Sequence, residues 1–172
     1  MKVKKYAAID IGSNAMRLLI NNVIEIEGEK HYKKADIIRI PIRLGSEAFL
    51  KHEISEPTIK KFLSAMRAYA NLMNAHEIEK YRACATSALR DARNGQGIIE
   101  LVQKETGILI EIISGKEEAE IIYSTHIEKL LSDRGAFLYV DVGGGSVEIT
   151  LFEDGETKES NSFNIGTLRI LN

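Results

Sequence analysis

The chain has 172 residues, 44% of them hydrophobic and 28% charged, with a formal net charge of −2. That is the composition of a globular protein with room for one core and part of another, and it supplies no overall field to draw the chain onto nucleic acid or an anionic membrane. The single cysteine, Cys84, excludes an internal disulfide and a thiolate metal cluster, and within YRACAT it is expected to pack as a small hydrophobe.

The opening MKVKKYAAID runs straight into a strand rather than into the apolar core of a signal peptide. No stretch reaches the roughly 18 apolar residues of a membrane span, so a cytoplasmic protein is expected. Residues 5–11 and 15–24 predict two strands joined by the turn Gly12-Ser13-Asn14. In 35–44, Ile38, Ile40, Ile42 and Leu44 alternate with Arg39 and Arg43, which predicts a strand with one wet face; Pro41 puts it at an edge or a bulge. From Ser55, the spacing of Ile59, Phe62, Leu63, Met66, Tyr69, Ala70 and Met73 predicts a helix with one apolar face. A strand over Ile78–Ala83 follows, then a helix from Ala88 to Thr106 broken at Asn94-Gly95 and ended by Gly107. Ile108–Ile113 reads as a short strand and Gly115–Leu131 as a helix. A strand pair then surrounds the triple glycine of FLYVDVGGGSVEITLF, and Glu156–Asn164 is a further strand. This order predicts an α/β fold with a mixed sheet and a second lobe that begins after Leu131.

Two turns carry the chemistry. Asp10-Ile11-Gly12-Ser13-Asn14 and Asp141-Val142-Gly143-Gly144-Gly145-Ser146 share one plan: an apolar strand ends on Asp-x-Gly, small residues follow, and a second strand leaves. Consecutive amides in such turns form anion cradles, and Ser13 and Ser146 add hydroxyl donors. Asp10 and Asp141, at the strand ends, can hold Mg²⁺ directly or through water. Cradle, phosphate and metal together describe a phosphoryl-transfer site. A plain tight hairpin accounts for either turn alone, and the repetition is what argues for a site.

Ser114 and Glu117 form a capping box, in which the glutamate reaches back to the cap residue's amide. The neighbouring Glu118 is free of that duty. It either answers the helix dipole or orients and deprotonates an attacking water beside a bound phosphate. Arg90 is placed early in a helix, where a cation opposes the dipole, so it contacts an anion or lies along the surface. Arg17 stands in the same choice. His31, His52, His76 and His126 show no metal-ligand spacing.

The segments DIGSNAMRLLI, ATSALRDARN, IEIISGKEEAE and VDVGGGSVEIT, in this order and over nearly the whole chain, resemble the exopolyphosphatase / guanosine pentaphosphate phosphohydrolase (Ppx/GppA) family. The resemblance implies a ribonuclease H-like lobe of the actin/hexokinase/Hsp70 superfamily over residues 1–132, with a mixed five-stranded sheet. Residues 133–172 would then begin a second, similar lobe. It implies a phosphohydrolase that releases terminal phosphate from inorganic polyphosphate or pppGpp with Mg²⁺. Glu118 matches the family's water-activating base, and Asp141 the acidic residue near the metal and the phosphate. Gly12, Ser13 and Asn14 match the first phosphate loop, Gly143, Gly144, Gly145 and Ser146 the second, and Arg90 an arginine that faces the cleft. Ala15 and Val147 depart from the family's usual hydroxyl residues at their positions. Family members continue through a full second lobe, so the chain is expected to be a piece of one. Its residues 136–165 are expected to pair two copies as a homodimer or to stay poorly packed. No nucleic-acid or membrane partner is implied. A small-molecule kinase of the same fold and a non-enzymatic, actin-like nucleotide-binding protein are the alternatives, as is a piece that is itself inactive while its longer parent is the enzyme. A basic channel for a polyanion can be drawn from Lys30, Lys33, Lys34, Arg39 and Arg43, or these can be a solvated strand face.

Overall fold

In the computed structural model, which describes residues 3–126, 135–154 and 156–170, the chain opens with three antiparallel strands. They are β1 (Val3–Ile11), β2 (Met16–Ile26) and β3 (Glu29–Ile40). Strand alternation sets their two faces: Ala7, Ile9 and Ile11 are buried with Leu18 and Ile20, while Asp10 and Arg17 point the other way. The turn between β2 and β3 puts both Glu27 and Gly28 at positive φ, the geometry whose twist matches a two-residue hairpin.

Two helices follow, α1 (Gly45–Lys51) and α2 (Glu56–Ala75). Then β4 (Lys80–Ala85) pairs in parallel with β1, after which come α3 (Ser87–Asp91) and α4 (Gly95–Thr106). The short β5 (Glu111–Ile112) and α5 (Gly115–His126) complete the first part. The sheet order β3-β2-β1-β4-β5 is the expected mixed five-stranded sheet. The inner faces of β1, β2 and β4 pack with α2 and α4 into one core. The second part is an antiparallel sheet of β6 (Ala136–Val142), β7 (Val147–Glu153) and β8 (Glu156–Phe163), followed by α6 (Thr167–Ile170). Among the described residues no helix is long and apolar enough to cross a membrane.

Several boundaries differ from expectation for identifiable reasons. The strand expected at 35–44 begins at Glu29 and stops at Ile40. Pro41 has no N–H for the ladder, and Arg43 turns the chain with φ 59. Residues 108–113 contribute only two paired residues, although Ile108, Ile110 and Ile113 are all buried. The helix expected from Ala88 to Thr106 breaks earlier, at 92–94, where the Asn94 side chain exchanges hydrogen bonds with both backbone groups of Ile54. Arg90 therefore lies in the last turn of a short helix, not in the first turn of a long one. Helix α1 is an addition; its seven residues are too few to show a period. The helix expected to reach Leu131 is described to His126, and 127–131 lie outside the described residues.

The apolar face expected on α2 is the buried one: Ile59, Phe62, Leu63, Met66, Tyr69 and Met73. Tyr69 is fully buried. Its hydroxyl lies 3.1 Å from the Met16 carbonyl and 3.0 Å from that of Ile38, so it ties α2 to β2 and β3, and burial pushes its pKa up to about 12. Tyr69→Phe keeps the ring and loses these bonds, at an expected cost of about 1–2 kcal/mol in urea denaturation. An unchanged midpoint would mean the hydroxyl contributes nothing to joining α2 and the sheet.

Candidate functional site

The two turns singled out in the sequence are built alike. The Gly12 amide donates to the Ala15 carbonyl at 3.1 Å, and the Gly143 amide to the Ser146 carbonyl at 2.9 Å. The flanking registers also correspond, Asp10 opposite Arg17 and Asp141 opposite Glu148. In each turn the carbonyls are held from behind. Those of Ser13 and Asn14 accept from the amides of Gly45 (2.8 Å) and Arg43 (3.0 Å). Those of Gly143 and Gly144 accept from Thr167 (3.0 Å) and Leu168 (2.8 Å), and that of Gly145 from Arg169 Nε (2.5 Å). The amides of Ser13, Asn14, Gly144 and Gly145 have no partner among the described residues. Anchored carbonyls and open amides make an anion cradle.

The triple glycine is there for space. None of the three has positive φ. A Cβ on Gly144 would stand 3.3 Å from Ser13 Cβ, and one on Gly145 would collide with Ser87 Oγ and the Phe49 ring. The second loop thus lies directly on the first, whose Ser13 shares a buried 2.9 Å hydrogen bond with Ser87. Arg169 clasps the arrangement, stacked 3.9 Å above the Phe49 ring and paired with Asp91.

Between the loops opens a cleft of about 610 Å³, lined by Asp10, Asp141, both cradles and Glu118. Glu118 stands in the first turn of α5, its amide donating to the Ser114 carbonyl at 2.9 Å. Its Oε2 is buried with no hydrogen-bond partner among the described residues. Burial, then the negative charges of Glu148 and Asp10, push its pKa up to about 7; Asp141 adds to this and Arg90 opposes it. Such a carboxylate is poised to exchange a proton near neutral pH. Glu117 is separated from it as expected, but by a different bond. The Ser114 hydroxyl caps the Glu117 amide at 3.1 Å, while the Glu117 carboxylate turns to Arg82 at 2.8 Å instead of to the cap amide.

Arg17 pairs with Asp10 at 2.9 Å within the cleft, both side chains half-exposed. Arg90 is not among the residues that line the cleft; its Nη1 donates to the Ile113 carbonyl at 2.9 Å, and its charge favours the ionised form of Glu118. Of the basic channel drawn from the sequence, only Arg39 lines the cleft. Cys84 does too, so its half-buried thiol faces the site rather than the core. The sequence reading missed Glu148, which is buried and accepts from Ser162 Oγ at 2.9 Å. A charged residue at an inward strand position, opposite Asp141 in register, is the signal that marks it.

Among the described residues no three carboxylate, imidazole or thiol groups converge as a preformed metal site. A magnesium ion does not require one: it binds through one or two carboxylates together with water and substrate phosphate. Asp10, Asp141 and the unpartnered Glu118 oxygen concentrate negative charge that a divalent cation would relieve, so the residues fit it.

A profile of the Ppx/GppA phosphatase family matches residues 32–172. The chain belongs to this family. Over 99% of its length it is 34% identical to exopolyphosphatase 2 of Mycobacterium tuberculosis, of which it covers 54%. Over 97% it is 29% identical to the guanosine-5'-triphosphate,3'-diphosphate pyrophosphatase of Aeromonas hydrophila, of which it covers 33%. Its fold is that of the crystal structure of an exopolyphosphatase from Cytophaga hutchinsonii, with a TM-score of 0.87 at 28% identity, covering 98% of this chain and 53% of that one. The chain thus spans about half the length of this structure and of the mycobacterial relative. As a Ppx/GppA chain it has the actin-like α/β fold implied by its motifs.

Proposed function

We propose that this cleft hydrolyses a terminal phosphoanhydride bond, with inorganic polyphosphate or pppGpp as substrate. The observation that carries the reading is the pair of carbonyl-anchored, amide-open loops that line one cleft with Glu118, whose Oε2 is buried there without a hydrogen-bond partner among the described residues. The amides of Ser13, Asn14, Gly144 and Gly145 hold the terminal phosphate and meet the charge that builds on its oxygens. Glu118 accepts a proton from a water. That water's oxygen bonds to phosphorus as the bond to the bridging oxygen breaks, and the bridging oxygen leaves on the shortened chain. Asp10 and Asp141 would hold Mg²⁺, whose charge neutralises phosphate oxygens when bound. Burial raises the proton affinity of Glu118, Glu148 adds to it and Arg90 opposes it. The substrates named for the mycobacterial and Aeromonas relatives support the same chemistry.

Phosphate release from polyphosphate, pppGpp and ATP, each with Mg²⁺ and with or without ADP, tests this. Release from either of the first two without ADP is expected. Transfer that requires ADP would make the protein a kinase instead, and nucleotide-dependent sedimentation without release an assembly protein.

We also place a pairing of two copies on the second sheet, where Leu138 and Val142 stand 64% and 58% exposed. Leu138→Lys is expected to shift sedimentation from dimer to monomer. Monomers at every concentration before the change would remove this pairing.

A further inference from the structure

The two hairpins share a register, so each projects a row of side chains across its sheet from its aspartate. In the first sheet the row runs Asp10, Arg17, Arg39; in the second, Asp141, Glu148, Ser162. The rows correspond position by position, yet their chemistry is opposite. Glu148 is buried, negative and already bonded to Ser162, so the second row is closed to an anion. The first row is open and basic. Among the described residues three arginines line the cleft, and two are occupied: Arg17 by Asp10, and Arg82 by Glu111 and Glu117. Arg39 is exposed and has no partner among the described residues.

We propose that Arg39 is the subsite for the part of a phosphate chain that lies beyond the scissile bond. The inference rests on the phosphohydrolase reading and names which way the substrate's tail leaves the cradle. Adjacent strands stand about 4.8 Å apart, so Arg39 on β3 lies about 10 Å across the sheet from Asp10 on β1. A single phosphate held by the loops does not span that distance; a chain of several does. A guanidinium suits the far end because its planar fork meets phosphate oxygens in pairs. Arg39 therefore discriminates by chain length, at a point removed from the bond that breaks.

The test is binding rather than turnover, in the protein carrying Glu118→Gln and in the same protein carrying Arg39→Gln as well. Titration calorimetry with Mg²⁺ measures pyrophosphate, long-chain polyphosphate and pppGpp, with circular dichroism to check the fold. Arg39→Gln is expected to weaken long-chain polyphosphate about tenfold and pyrophosphate at most twofold, and to make the long chain's salt dependence shallower. A matching loss for pppGpp assigns the subsite to its 5′-triphosphate as well; a loss confined to polyphosphate assigns it to the linear chain. Equal weakening at every length, or none, would overturn the subsite and leave the hydrolase reading standing. Failure of the Glu118→Gln protein to bind any of the three ligands would overturn the hydrolase reading itself.

Discussion

Replacing Glu118 by glutamine is expected to lower the rate of phosphate release about 10²–10⁴-fold, the loss that would follow removal of a positioned general base. The same change makes the fold more stable in neutral and alkaline solution when no divalent cation is present. Glutamine keeps the shape but not the charge, and the site resists the charge, since burial, Glu148 and Asp10 raise the Glu118 pKa to about 7. The sign follows from the raised value. Below the ordinary pKa of 4.5 the carboxyl is protonated whether the chain is folded or not, and the two proteins differ little. Between pH 4.5 and about 7 the folded state keeps a proton that the unfolded state releases, so wild-type stability falls as pH rises. Above that window the penalty is complete. Allowing for screening by water in an open cleft, it amounts to about 1–2 kcal/mol. Urea denaturation with EDTA at pH 4 and pH 8 measures it, and the variant's advantage should appear only at the higher pH. No advantage there would show that the carboxylate is not held against its preference.

Gly166→Ala is expected to cost both stability and activity, although residue 166 is not among those that line the cleft. A Cβ at this position would be driven into the backbone of Gly144 and Gly145, which cannot rotate aside as a side chain can. The strain would push α6 off the loop. The amides of Thr167 and Leu168 and the guanidinium of Arg169, which hold the three glycine carbonyls, would go with it. Overpacking of this kind costs about 1–3 kcal/mol. A shift of about 1 Å in a cradle is enough to lower turnover about 100-fold. Gly97→Ala is the control, since its Cβ would meet nothing within 4 Å in the first turns of α4. It should gain up to about 1 kcal/mol from helix propensity alone and keep its activity. Gly166→Ala with normal kcat and normal stability would mean that α6 does not anchor the second loop.

The parts of the fold that read clearly from the sequence are those with local signals. Asp10, Gly12, Asp141 and the glycines after it announce their turns because few other residues tolerate such loops. The face of α2 from Ile59 to Met73 announces its period, and Gly107, at φ 73, ends α4 as expected. What stayed hidden depends on partners distant in the chain. The first half of β3, EKHYKK, is exposed on both sides and has no alternation to read; only pairing with β2 makes it a strand. Hydrophobicity misleads outright in β7. Val147, Ile149 and Leu151 look like its inward face, yet Glu148, Thr150 and Phe152 are the buried set, and so Glu148 escaped notice. Arg90 was placed by a helix boundary that Asn94 moves, and its bond to Ile113 joins segments no local pattern connects.

In the proposed reaction water, held by Glu118, is the group that receives the phosphoryl. Turnover of polyphosphate or pppGpp in ¹⁸O-labelled water, with the released phosphate read by mass spectrometry, tests it directly. One labelled oxygen is expected in each phosphate released in a single turnover, with almost no release from the Glu118→Gln protein. Unlabelled phosphate, or phosphoryl groups found on an added acceptor in place of free phosphate, would contradict it.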